Sequence, residues 1–385
     1  MNQKSRRFYE FFAGGGMARL GLGEDWQCLF ANEWSSKKAD SYRANFAPAS
    51  ELKIEDIWNL SVSDLPGQAD FAWASFPCQD LSLAGSGAGL GGSRSGTLIK
   101  FWSLMRDLSH AGRQVPIIVL ENVVGALTSS GGRDFSSMAE LAAGAGYRFG
   151  AVVIDAAKFV PQSRPRLFFI AVSECIDVPA NRESEEPRDD WHTPRLCAAA
   201  AALKPALRER WIWWDLPRAP RMTRCLNDII EFDNDELPWH TREETQRLLG
   251  MMSETNAAKV HQAKLYGRRI VGTIYKRVRV ENGVRKQRVE VRFDQISGCL
   301  RTPVGGSSRQ IILVIEGRSI RSRLMSPREA VRLMGLPDSY RLPIRYNDGY
   351  HLAGDGVVVP VVRFLASEIL EPLLLGRPRR GKEAA

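Results

Sequence analysis

The 385-residue sequence lacks the patterns that mark metal, disulfide-built and membrane proteins. Its six cysteines contain no Cys-x-x-Cys pair and its five histidines are scattered, so neither a zinc site nor a disulfide framework is written in it. No apolar run approaches the roughly 18 residues needed to span a bilayer. The basic start, Met1 to Arg7, runs into Glu10 and a glycine triplet where a secreted chain would carry its apolar signal core. These absences set the expectation of a cytoplasmic protein with no metal and no membrane partner. With 44% hydrophobic and 25% charged residues the composition is that of an ordinary globular chain, and the length accommodates about two domains.

What the sequence does have is positive charge in one place. The formal net charge is +9, and residues 264–292 alone hold ten Lys or Arg against two Glu. Inside that segment two alternating runs, 274–280 and 284–293, flank Glu281-Asn282-Gly283, and Asn-Gly between such runs predicts a β-hairpin. A two-stranded ribbon fits the major groove of DNA, and dense cations bind its phosphates by releasing counterions. Arg277, Arg279, Arg285 and Arg288 are therefore candidate DNA contacts.

At the other end of the chain, the run Phe8 to Ala13, then Gly14-Gly15-Gly16, then a helix start at Met17 read as strand, glycine turn and helix. Glycines at such a turn let the backbone approach a bound cofactor. Glu33, which closes the next apolar run, stands where an acidic residue takes ribose hydroxyls. Trp34 beside it offers a ring to stack on a base, and Asp56 is a candidate adenine contact. The third glycine of the dinucleotide fingerprint is replaced by Arg19, which speaks for a nucleoside cofactor without a pyrophosphate.

The apolar run from Phe71 to Cys78 reads as a buried strand whose carboxyl end presents the Cys78 thiol, and a glycine-rich loop follows as far as Gly96. A lone cysteine in an apolar segment is usually packing, yet ligands of open α/β sheets bind outside the carboxyl ends of strands. The run Pro116 to Leu120 ends in the same way, at Glu121. Between 161 and 166, Pro165 fixes the local chain and so aims Arg164 and Arg166. Strands alternate with helices up to about Glu174, including one over 97–112 whose Leu98, Phe101, Trp102, Met105 and Leu108 recur at helical spacing. The alternation predicts an α/β fold, a doubly wound and mostly parallel sheet. An acidic linker at 183–190 then opens a second domain, in which Ser326, Pro327 and Glu329 cap a helix that Gly335 stops.

Taken together these pieces resemble the DNA (cytosine-5) methyltransferases, with the motifs in the family's order over most of the chain. Phe12 to Gly16 resembles the cofactor motif, Pro77-Cys78-Gln79 the nucleophile motif, Glu121-Asn122-Val123 the acid motif, and Gln162, Arg164 and Arg166 the arginine motif. Ser326 to Gly335 resembles the helix that braces the target-recognition domain, and Gly354 to Val362 the last motif, here with Asp355 and Gly356 where the family commonly has Asn and Ser. The resemblance implies a Rossmann-like, S-adenosylmethionine-dependent methyltransferase fold with a smaller inserted target-recognition domain. Residues 1–175 completed by 350–385 would be catalytic, and 176–349 would read the DNA sequence. It implies Phe12, Gly14, Gly16, Glu33, Trp34, Asp56, Ile57, Asp355 and Val357 as cofactor-binding residues, and Gln79 and Asn122 as substrate contacts beside the catalytic positions.

The implied reaction is methyl transfer to carbon 5 of cytosine in a specific double-stranded sequence. Cys78 would attack carbon 6, protonated Glu121 would hold ring nitrogen 3, Arg166 would bind the exocyclic oxygen, and Arg164 would help position Cys78 or the backbone. The base must leave the helix to be reached, and the stretch from Ser82 to Gly96 would close over it. A cognate restriction endonuclease acting on the same site is the expected partner of a monomeric, nucleoid-associated enzyme. Two alternatives share parts of this pattern: a tRNA cytosine-5 methyltransferase shares the chemistry, and a nicotinamide or flavin oxidoreductase shares the opening turn.

Overall fold

The computed structural model describes residues 6–76, 96–232, 237–302 and 309–375, which divide by contact into two units. The first comprises residues 1–154, 165–219 and 361–385, and the second 155–164 and 220–360. Among the described residues no helix is long and apolar enough to cross a membrane, and no three His, Cys, Asp or Glu side chains are grouped to hold a metal ion.

The first unit is built on seven strands: β1 (Arg6–Phe11), β2 (Trp26–Glu33), β3 (Leu52–Ile54), β4 (Phe71–Ser75), β5 (Ile117–Val123), β6 (Tyr147–Asp155) and β7 (Pro165–Ser173). Their order across the sheet is β3-β2-β1-β4-β5-β7-β6. The pairs β1–β2, β2–β3, β1–β4 and β4–β5 are parallel, and β5–β7 is antiparallel. The α/β, mostly parallel sheet is thus the fold expected of the sequence. Strand order reverses between β1 and β4, and in such sheets the crevice at the carboxyl ends of the reversing strands is where ligands bind.

Helices α1 (Met17–Leu22), α2 (Ser36–Asn45), α3 (Thr97–His110) and α4 (Arg133–Gly144) connect these strands. The stripe Leu98, Phe101, Trp102, Met105 and Leu108 is buried, and it packs with Tyr9, Phe11, Ile118 and Leu120 of the sheet in one core cluster. Burying such side chains contributes roughly 1.5–3 kcal/mol each, which holds α3 to the sheet. The opposite side chains Phe8, Trp26, Phe71, Trp73 and Phe168 form a run of edge-on and tilted ring contacts. Short strands β8 (Glu183–Ser184) and β9 (Trp213–Trp214) pair beside helices α5 (Pro194–Ala201) and α6 (Pro205–Arg208) in sequence. The tryptophans of 211–214 pack there: Trp214 is fully buried and Trp211 lies against Phe135 and Phe149.

The second unit holds helices α7 (Arg242–Gly250) and α8 (Glu254–Leu265) and a four-stranded antiparallel sheet of β10 (Ile270–Glu281), β11 (Val284–Arg292), β12 (Ile311–Glu316) and β13 (Ser319–Leu324), ordered β11-β10-β12-β13. The hairpin forms where Asn-Gly predicts it: Asn282 (φ 51°) and Gly283 (φ 78°) are both left-handed, the conformation that lets a two-residue turn follow the strand twist. Helices α9 (Pro327–Arg332) and α10 (Tyr346–Asp355) follow. Ser326 caps α9 through a capping box with Glu329, and Glu329 is fully buried in an ion pair with Arg323. Helices α11 (Val359–Leu365) and α12 (Glu371–Leu375) end the described chain. In the first unit Arg363 donates to Leu22 O at 2.7 Å and Trp26 Nε1 to Glu371 Oε1 at 3.4 Å.

Candidate active site

Cys78 and Gln79, and the stretch from Ser82 as far as residue 95, lie outside the described residues. Strand β4 carries the chain up to them. Its last residue, Ser75, is in register with Glu121 of β5. Beside Glu121 lies β7, which runs the other way, so that the beginning of β7 meets the end of β5: Val123 is opposite Arg166. Arg166 Nε accordingly stands 3.1 Å from Glu121 Oε1, and both side chains are largely buried. An acid of β5 and a guanidinium of β7 are thus held together beside Ser75, the last residue of β4.

The two arginines of 161–166 have different surroundings. Arg164, in the second unit, is buried and donates to three backbone carbonyls, Leu300 O at 2.9 Å, Gly354 O at 2.7 Å and Gly356 O at 2.8 Å. Gln162 is bonded in the same way, its amide donating to Leu333 O and its oxygen accepting from Leu300 N–H. Asn122, a candidate substrate contact, donates to Phe76 O at 3.0 Å and so ties the exit of β4 to β5. The spacing of these residues in the sequence carried no signal of those partners.

The turn after β1 is shaped for close approach. Phe12 has a left-handed φ of 56°, rare for a non-glycine residue and costly unless the surroundings impose it. Gly14 is also left-handed, and a Cβ added there would meet nothing within 4 Å, whereas at Gly16 it would strike Phe46 and Tyr42. Glu33 accepts N–H groups from Gly14 and Ser35, both at 2.9 Å. A carboxylate has about four acceptor sites, so two remain among the described residues. Arg19, in the place of the missing glycine, donates to Tyr42 Oη at 2.8 Å and pairs with Glu51 beneath the turn. Trp34 is 68% exposed, Asp56 Oδ1 accepts from Trp58 N–H, and Ile57 is a buried core residue that offers only its backbone. An open glycine turn, a carboxylate with spare acceptors and an exposed aromatic ring fit the nucleoside part of S-adenosylmethionine. Asp355 and Val357 belong to the second unit, where Thr302 donates to Asp355 Oδ1 at 2.7 Å and Val357 is buried.

A residue that the sequence did not single out lies in the same strand as the turn. Glu10 of β1 is 1% exposed, and its Oε2 is buried with no hydrogen-bond partner. Burial, partly offset by Arg19, pushes its pKa up to about 8.

The hairpin arginines do not share a face. Arg277 is opposite Arg288 and Arg279 opposite Lys286, with Arg279 on Glu290 and Arg288 on Glu281 in ion pairs. Arg285 is opposite Val280 and points to the other side.

Known proteins carry the same plan. The chain is 24% identical over 370 residues to the type II methyltransferase M.Bsp6I of Bacillus sp. (strain RFL6), covering 94% of this chain and 98% of that one. It is 26% identical over 359 residues to the type II methyltransferase M.NgoBI of Neisseria gonorrhoeae, covering 92% and 89%. Its fold is similar to the crystal structure of a Spodoptera frugiperda DNMT2 variant, at a TM-score of 0.61 and 18% identity over 96% of this chain and 100% of that one. Neither an oxidoreductase nor a tRNA-specific reading gains support from these likenesses. The sequence model of the family described as C-5 cytosine-specific DNA methylase matches residues 6–371, so the chain belongs to that family and transfers the methyl group of S-adenosylmethionine to carbon 5 of cytosine in DNA.

Proposed function

We propose that the chain methylates cytosine within a specific double-stranded sequence through a covalent adduct of Cys78 with a base turned out of the helix. The observation that carries this reading is the Glu121–Arg166 pair beside the end of β4. Carbon 5 of cytosine is a weak nucleophile, and bond formation between the Cys78 thiolate and carbon 6 makes it a strong one. Glu121 supplies the proton at ring nitrogen 3, and Arg166 donates to the exocyclic oxygen as charge develops there. Arg164, Gln162 and Asn122 act as positioning residues, through the backbone bonds described above. S-adenosylmethionine, when bound, supplies the methyl group, and Phe12, Gly14, Gly16, Glu33, Trp34, Asp56 and the Ile57 backbone would hold its nucleoside part. Methyl transfer leaves S-adenosylhomocysteine, and loss of the carbon 5 proton, return of the ring nitrogen 3 proton to Glu121 and departure of the Cys78 thiolate then free 5-methylcytosine in the DNA.

Residues 1–175 completed by 350–385 would carry the chemistry and residues 176–349 the reading of sequence, with the basic hairpin on the DNA. Such an enzyme works where the DNA is, in the cytoplasm at the nucleoid, as a monomer beside a restriction endonuclease that cuts the same unmethylated site. The test is Cys78→Ala: methyl transfer should vanish while S-adenosylmethionine still binds by calorimetry. Turnover retained in that variant removes Cys78 as nucleophile. Bisulfite sequencing of DNA from a host that expresses the chain identifies the site.

A further inference from the structure

The two faces of the β10–β11 hairpin differ in chemistry. One carries Arg277, Arg279, Lys286 and Arg288, and each of these lies within 4.0 Å of Glu281 or Glu290. A duplex approaching this face meets two carboxylates together with the cations, and its phosphates repel them. The opposite face carries Lys276, Val278, Val280, Arg285 and Gln287, by the register of the two strands. Neither Lys276 nor Arg285 has a carboxylate within ion-pair distance among the described residues, and Val278 and Val280 are 57% and 68% exposed. That face runs on into a groove of about 330 Å³ between α7 and the sheet, lined by Arg247, Lys276, Gln287 and Arg309, with Glu244 as its one acidic side chain among the described residues.

We infer that the face of Lys276, Arg285 and Gln287, with the adjoining groove, reads base edges in the major groove, and that the arginines of the other face touch only phosphates. This rests on the reading of the hairpin as the DNA-binding element. Unpaired long donors, an amide that both donates and accepts, and exposed methyl groups are what base edges require. Lys and Arg bond guanine, Gln bonds adenine, and apolar groups meet the thymine methyl. Cations already shared with carboxylates suit the sequence-independent backbone, where positioning and not discrimination is needed.

The experiment compares two triple variants of the full chain, Lys276→Ala/Arg285→Ala/Gln287→Ala and Arg277→Ala/Arg279→Ala/Arg288→Ala. Methylation preference is read by bisulfite sequencing of a randomised duplex library, and binding is measured as a function of salt. The first variant should lose at least tenfold in preference for the parent's site over single mismatches, with little change in salt slope. The second should keep the preference while its slope falls by about 0.9 for each phosphate that it no longer neutralises. Loss of preference in the second variant and not in the first overturns the inference but leaves the hairpin on the DNA. An unchanged preference and slope in both removes the hairpin from the DNA altogether. If the first variant fails to fold, Gln287→Glu, which keeps the side chain's size, should still shift the preferred base, and an unshifted preference counts against the inference.

Discussion

Glu10 places a carboxyl group inside the sheet, on the strand that leads to the glycine turn, with one oxygen unbonded and Arg19 as the neighbouring cation. Desolvation is the dominant cause of its raised pKa of about 8, against an ordinary 4.5. Because the folded chain binds this proton more tightly than the unfolded one, the contribution to stability is full below pH 4.5. It declines as pH rises toward 8 and is lost above, by about 1.4 kcal/mol for each unit in between. Glu10→Gln, which keeps the shape and removes the ionisation, should match the parent near pH 4 and exceed it by a few kcal/mol at pH 9 in urea unfolding. Equal pH profiles would mean that Glu10 ionises without cost.

Arg164 and Arg166 are two positions apart, and the elements around them assign them different work. Arg164 joins the carbonyls of Leu300, Gly354 and Gly356, at the end of α10 and in the chain after β11. A lysine offers a compact charge in place of the guanidinium fork and cannot hold three separated carbonyls. Each buried carbonyl left without a donor costs about 1–3 kcal/mol. Arg164→Lys should therefore lower unfolding stability by about 2–3 kcal/mol. Arg166 faces Glu121 across the antiparallel junction of β5 and β7, and Arg166→Lys retains a cation there. It should unfold at nearly the parent's urea midpoint while kcat drops about a hundredfold, the effect of losing one aimed donor. If the two variants exchange these phenotypes, the assignment of roles is reversed.

For the whole molecule, a cofactor that binds only the folded chain raises its stability by mass action. At a hundred times Kd, S-adenosylmethionine should add about 2.7 kcal/mol, a rise in Tm of several degrees for a chain of this size. Nicotinamide dinucleotides at the same concentration should leave Tm where it was, because the turn at 14–16 has Arg19 bonded to Tyr42 and Glu51 where close helix packing on a pyrophosphate would need glycine. A shift with the dinucleotide and none with S-adenosylmethionine would contradict the assigned cofactor site.

Much of this protein is legible in its residues because the relevant physics is local. The stripe of α3, the capped start of α9, the Asn-Gly turn and the strand, glycine turn and helix at the start each depend on side chains within a few positions, and each forms as read. The motifs themselves, with their order along the chain, determined the family and therefore the reaction. The partners of those motifs were decided elsewhere. Arg164 reaches carbonyls 136 to 192 positions away, and Asn122 a carbonyl 46 positions away. Glu121 meets Arg166 only because β7 enters the sheet antiparallel beside β5, and the hairpin arginines divide between two faces only once the strand register is set. Periodicity and turn chemistry are properties of neighbours along the chain, whereas burial, ion pairing and the isolation of Glu10 depend on which distant segments fill the space around a side chain, and only the folded sheet specifies that.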